Sequence, residues 1–192
     1  YKDSAGNIST ATISDTITLD GTAPTGSIVI NGGAAGTNET SVILTLPASD
    51  AGSGIYQMQF SNDGITYSAW ETYEPMRSWI LTSGDGTKTV YVKFSKDGEV
   101  HSDSIILDTS APVTLSSIPG GSYASTRTIA LSTGSGATIY YTTDGSDPTT
   151  SETRKQYTGL IFVTATTTLK YYAVDTAGNS ESVKTGTYTI AD

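Results

Sequence analysis

Cysteine is absent from this sequence, and histidine occurs once, as His101. The first absence excludes a disulfide framework and a thiol nucleophile; the second excludes a histidine-built zinc cluster. No serine sits in a Gly-x-Ser-x-Gly elbow, so His101 has no nucleophile to activate and no Ser-His-Asp triad can be assembled. Positive charge is also scarce, with 10 Lys and Arg against 19 Asp and Glu and a formal charge of −9. A chain of that balance lacks the cationic face that nucleic acid or an anionic membrane requires. Nor does any run approach the roughly 20 apolar residues of a membrane-spanning helix.

What the chain does contain points to strands. Ser and Thr make up nearly a third of its residues and Tyr occurs 12 times, and Thr, Tyr, Val and Ile fit a pleated surface better than a helix. Strand signals recur at short, regular spacing between Gly, Asn, Asp and Pro, the pattern of a sandwich of antiparallel sheets. Period-two alternation turns Val42, Leu44 and Leu46 to one face, and likewise Tyr56, Met58 and Phe60, then Val90, Val92 and Phe94. In the second half, Ile129 and Leu131, Ile139 and Tyr141, and Leu169, Tyr171 and Ala173 alternate inward in the same way. Gln57, Gln59, Tyr91 and Lys93 are expected to face water. A strand is also expected over 66–73, with Trp70 and Trp79 filling the core between sheets, as tryptophan does in small sandwiches.

A fixed period divides the chain. Residues 1–24, 91–112 and 172–192 read as three versions of one final turn and strand, and Asp20 and Asp108 each open an Asp-x-x-Ala-Pro string. The spacing from Asp20 to Asp108 to Asp192 is about 88 and then 84 residues, right for one compact domain each. The expected fold is therefore all-β. It comprises the C-terminal strands of a preceding repeat (1–22, a leftover hairpin) and two tandem sandwiches in an elongated arrangement (23–110 and 111–192). The chain reads as a slice of a longer array. Its joints, 21–24 and 109–112, each end in Ala-Pro; proline fixes its own φ and pushes the preceding residue towards extended geometry, so such joints are stiffer than a Gly/Ser tether.

The motifs within this frame are mostly turns. Asp3-Ser-Ala-Gly-Asn7 and Asp175-Thr-Ala-Gly-Asn179 join the last two strands of a repeat; the aspartate can accept amides further along, and Gly and Asn tolerate a left-handed backbone. The middle copy is one residue shorter and places Lys96 where the others have aspartate. Asp144 and Asp147 stand too close together to flank a glycosidic bond and read as turn residues. The joint aspartates Asp20 and Asp108, with Asp50 from the loop ASDAGSG and nearby carbonyls, have the oxygen chemistry for Ca2+. Strand termination and capping of the turn before proline is the competing reading of the same residues. Tyr140 and Tyr172 are expected to point outward from neighbouring strands as a surface contact for a glycan.

Residues 119–182, with the string IYYTTDGSDPT and then TTLKYYAVDTAGNSES, resemble the immunoglobulin-like module at the C-terminus of chitobiases and β-hexosaminidases. The first unit, with SDAGSGIYQMQFSNDGITYSAWETY and DSIILDTSAP, resembles immunoglobulin-like repeats strung along large bacterial and archaeal surface proteins. These resemblances imply two immunoglobulin-like sandwiches and a non-catalytic spacer or stalk in a secreted or cell-surface prokaryotic protein, such as an adhesin. The alternative they imply is a carbohydrate-binding accessory module of an extracellular glycoside hydrolase. The expected partners are adjacent repeats of the same polypeptide, a glycan or another cell-surface protein, around a monomer with no nucleic acid and no membrane insertion.

Overall fold

The computed structural model describes residues 2–8, 14–15, 19–52, 54–95, 98–134 and 136–191. Most of the strand residues expected in a leftover hairpin, together with Lys96, Asp97 and Asp192, lie outside them. Among the described residues there is no α-helix, and the one helical turn is a three-residue 3-10 turn, Asn31–Gly33.

In the first unit, a five-stranded sheet runs in the order Gly36–Thr37, Val100–Leu107, Gly86–Phe94, Gln57–Ser61, Glu71–Thr72. It faces a three-stranded sheet of Val29–Ile30, Ser41–Thr45 and Met76–Ile80. The second unit repeats the plan. Its five-stranded sheet runs Gly121–Tyr123, Lys184–Ile190, Thr167–Val174, Thr138–Thr142, Lys155–Gln156, and short antiparallel pairs supply the opposing layer. In both units the first strand of the large sheet lies parallel to the last one, Gly36 against Ile106 and Gly121 against Tyr188, while the other pairs of that sheet are antiparallel. This arrangement is an immunoglobulin-like β-sandwich.

Each unit has its own core. The first holds Val42, Leu44, Leu46, Met58, Phe60, Val90, Val92 and Phe94, and the second Ile129, Leu131, Ile139, Leu169, Tyr171 and Ala173, with Tyr141 packed at its margin. The alternation thus identified nearly every core position it named. Tyr56 is a correction: it is 78% exposed, because the strand starts only at Gln57 and the pleat that would turn Tyr56 inward has not begun. Trp70 is a second, exposed at the surface and outside the core. The expected 66–73 strand shrinks to Glu71–Thr72, since Asp63 collects the amides of Ile65 and Thr66 and folds the chain ahead of it into a loop. Trp79 does pack against the core, beside Phe60. That loop also changes the outer face of the sheet: Gly64 lies on the Tyr91 ring and Tyr67 lies under Lys93. Tyr91, Lys93 and Gln59 are therefore half-buried, and only Gln57 is open to water.

Candidate functional site

The joint between the two units is built from both sides. Antiparallel register sets Gly86 opposite Leu107, so the residue before Gly86, Asp85, stands beside the chain as it leaves the first sandwich. Its carboxylate accepts the Thr109 amide at 2.8 Å and the hydroxyls of Thr109 and Ser110, each at 2.7 Å. The Ser110 hydroxyl first, then Thr109, holds the Asp85 carboxyl below its ordinary range. Just upstream, the Asp108 amide donates to the Thr37 carbonyl at 3.0 Å, which belongs to the first unit.

The second unit grips the same peptide through its final turn. Asp175 Oδ1 accepts the amides of Ala177 and Asn179, and its Oδ2 accepts Asn179 Nδ2 at 2.9 Å. Gly178 takes φ +93° to close this turn, a conformation glycine adopts without penalty. So oriented, Asn179 Nδ2 also donates to the Asp108 carbonyl at 2.7 Å. One residue therefore gives its N–H to the first sandwich and its C=O to the second. The two units approach here, since a methyl placed on Gly178 would lie 3.6 Å from Asn38 Nδ2.

A further clamp follows. Glu181 accepts the Thr114 amide with both carboxylate oxygens, at 3.1 and 3.0 Å, and Lys184 donates to the Thr114 carbonyl at 2.6 Å while pairing with Glu181 at 2.8 Å. Burial alone would raise the Glu181 carboxyl, but the bonds from Lys184 and Thr114 outweigh it and its pKa lies below the usual value. Asp175 behaves alike, burial being outweighed by the Asn179 side chain and the amides of its turn.

Asp3 to Asn7 repeats the Asp175 turn. Asp3 accepts the amides of Ala5 and Asn7 and the Asn7 side chain, and Gly6 takes φ +89°. Asp20, Asp50 and Asp108, read as calcium candidates, each accept the amide two residues on, from Thr22, Gly52 and Ser110. Asp20 is brought against the Asp50 loop, since a Cβ on Gly52 would collide with the Asp20 carboxylate. Among the described residues no three His, Cys, Asp or Glu side chains gather into a metal-holding group.

Tyr140 and Tyr172 sit opposite one another in register, rings stacked at 5.8 Å. They do not form the open surface expected. The Arg154 guanidinium lies 4.8 Å from the Tyr140 ring, and its Nη1 is 3.4 Å from the Tyr172 hydroxyl; Tyr172 is left only 6% exposed. Asp144 caps the adjoining loop by accepting the hydroxyls of Ser146 and Thr153, and the Ser146 hydroxyl first, then Thr153, takes its pKa down to about 2. Asp85, Glu181 and Lys184 were not singled out from sequence, and neither was the reach of Asn179 to Asp108. The available signal was the recurrence of Asn in the final turn together with Asp at the joint.

Residues 118–185 match the family model of the chitobiase/beta-hexosaminidase C-terminal domain, so the second unit is an immunoglobulin-like module similar to that domain. No curated protein matches the chain. Among solved structures it is similar to fibronectin(III)-like modules of CbhA from Clostridium thermocellum, at 14% identity over 85% of this chain and 93% of that one, TM-score 0.45. It is also similar to the three N-terminal domains of the highly immunogenic outer capsid protein of bacteriophage RB49, at 11% identity over 88% and 59%, TM-score 0.40. A third similar structure is the N-terminal eight Ig domains of Down syndrome cell adhesion molecule, at 10% identity over 88% and 25%, TM-score 0.46.

Proposed function

We propose that this chain is a non-catalytic spacer in a secreted or cell-surface prokaryotic protein, a length of stalk that sets the distance and direction of whatever it carries. The observation behind this reading is the Asp108 peptide, held by Thr37 from one unit and by Asn179 from the other. A joint whose backbone polar groups are taken up by both neighbours loses the freedom of a tether, and Pro112 removes more. The partners of such a segment are the adjacent repeats of its own polypeptide. Its work is done by shape, so the reading assigns it no reaction, and a monomer suffices. Small-angle scattering tests it. The unaltered chain should give one extended profile, and the pair Asp85→Ala with Asn179→Ala should shift it towards a broader set of shapes. A profile of freely tumbling units in the unaltered chain would end the reading.

Calcium at Asp20, Asp50 and Asp108 belongs to the same proposal as an added stiffener. Titration calorimetry should then show Ca2+ uptake that Asp20→Asn and Asp108→Asn reduce; no heat at millimolar Ca2+ would remove the ion from the account without touching the hydrogen-bonded joint.

The similarity of 118–185 to a domain named for chitobiase and β-hexosaminidase favours a second reading, an accessory module that holds an attached glycoside hydrolase on its polysaccharide. Under it Arg154 swings away and frees the Tyr140 and Tyr172 rings for a sugar face. Retention on insoluble chitin that is lost in Tyr140→Ala and Tyr172→Ala would support this reading, and no retention on any glycan would remove it.

A further inference from the structure

One sheet edge of the first unit is open. In the three-stranded sheet, Met76–Ile80 pairs with Ser41–Thr45 on one side and has no neighbouring strand on the other among the described residues. The Leu46 amide donates to the Pro75 carbonyl at 2.8 Å and the Leu81 amide to the Thr40 carbonyl at 2.9 Å. Hydrogen-bonded pairs alternate along an antiparallel ladder, so Arg77 and Trp79 direct their backbone groups to Ser41–Thr45, and Met76, Ser78 and Ile80 turn theirs to the open side. Among the described residues one bond reaches that side, from Asn62 Nδ2 to the Ile80 carbonyl at 3.0 Å, and it leaves that oxygen a second lone pair. The outer face here is apolar: Met76 is 58% and Ile80 61% exposed, with Ile43 between them on the next strand.

Proteins guard such edges with charge, proline or a bulge. The strands of this sheet, Val29–Ile30, Ser41–Thr45 and Met76–Ile80, contain none of the chain's 19 Asp and Glu, and their one charge, Arg77, is paired with Glu71 at 2.8 Å. In a chain of formal charge −9, a second copy can approach this edge without setting carboxylate against carboxylate. The equivalent edge of the second unit, Ile161–Val163, is only three residues long.

We propose that Met76–Ile80 is a self-association edge that pairs antiparallel with the same strand of a second copy, about a twofold axis at Ser78. That register is self-complementary. It exchanges both backbone bonds between the two Ser78 residues, sets Met76 opposite Ile80 of the second copy, and brings Arg77 opposite Trp79, a cation beside an indole. Sliding one copy by two residues opposes Arg77 to Arg77 in one direction and carries Met76 past the end of the strand in the other. The sheet then continues across both copies by strand addition. Two five-residue strands bury less than the roughly 1,000 Å² of a stable interface, so the pair is weak in dilute solution and forms at high local concentration. A monomer satisfies the spacer reading, which this pairing leaves untouched.

Sedimentation equilibrium of the whole chain up to about 1 mM should show monomer and dimer in exchange, and amide shifts over the same range should centre on Met76–Ile80. Ser78→Pro removes the central N–H at an edge position that tolerates proline; it should abolish the dimer with the melting temperature little changed. Met76→Lys and Ile80→Glu, both at exposed positions, should each weaken association about threefold to tenfold. Combined in one chain, they set opposite charges against one another at both ends of the pair and should restore it. No dimer at about 1 mM, shifts centred on Leu115 or Phe162, a dimer unaffected by Ser78→Pro, or a double variant no tighter than the single ones would each overturn the proposal.

Discussion

Asn179 does two jobs with one amide group, closing its own turn on Asp175 and crossing to the Asp108 carbonyl. Replacing it by alanine removes both bonds and leaves a half-buried carbonyl to find water, so Asn179→Ala should lower the stability of the second unit by about 1–2 kcal/mol. Urea denaturation followed by tyrosine fluorescence will read this as a lower midpoint at constant slope. Glu181→Ala should cost more, about 3 kcal/mol, because Lys184 and the Thr114 amide then lose a largely buried partner together. The pH dependence has a definite sign. The carboxyls of Asp85, Asp144, Asp175 and Glu181 all lie below their ordinary values. Their contribution is therefore complete above the unfolded pKa of roughly 4 and is lost as pH falls through the folded values. The urea midpoint should stay level from pH 7 to about 5 and fall as the pH drops below roughly 4, Asp144 being protonated near 2 and Asp63, held lowest of all, last. At this scale the Asp-Asn turns were legible, since the chain repeats them. Glu181 was not, because an i,i+3 pair with Lys184 at the start of a strand looks like any solvated pair until Thr114 is brought against it.

Strands were legible wherever two conditions held together, apolar alternation and a neighbour on both sides. Ser41–Thr45, Gly86–Phe94 and Thr167–Val174 meet both. The short parallel edges Gly36–Thr37 and Gly121–Tyr123 escape notice because two or three residues containing glycine carry no period; their pairing is imposed by the last strand of each unit. The strand expected over 66–73 begins late, at Glu71, for the opposite reason. It contains strand-favouring residues, but local bonds to Asp63 and Ser61 compete successfully with a ladder. One element-level prediction follows from the first sheet's margin. A Cβ on Gly26 would collide with the fully buried Phe94 ring, so Gly26→Ala should destabilise the first unit by about 1–3 kcal/mol through overpacking. Thermal melting that leaves the second unit's signal in place will check it.

Two separate cores joined by one short linker make a molecule whose mechanical character is decided at the joint. Each unit alone is a small sandwich; in the spacer reading, what sets the pair apart from beads on a string is that Thr37 and Asn179 hold the two backbone groups of Asp108 and Asp85 holds the Thr109 amide, while Glu181 and Lys184 hold Thr114 where the second unit begins. Periodicity and the Ala-Pro strings pointed to stiff joints, yet the residues that clasp them come from distant turns and could not be paired by spacing alone. The most direct measurement of the central claim is a set of backbone residual dipolar couplings from both units in one alignment medium. Couplings from 25–107 and from 115–190 should fit a single alignment tensor of one magnitude, and should separate into two when Asp85→Ala and Asn179→Ala are combined. Two tensors of clearly different magnitude in the unaltered chain would contradict the account.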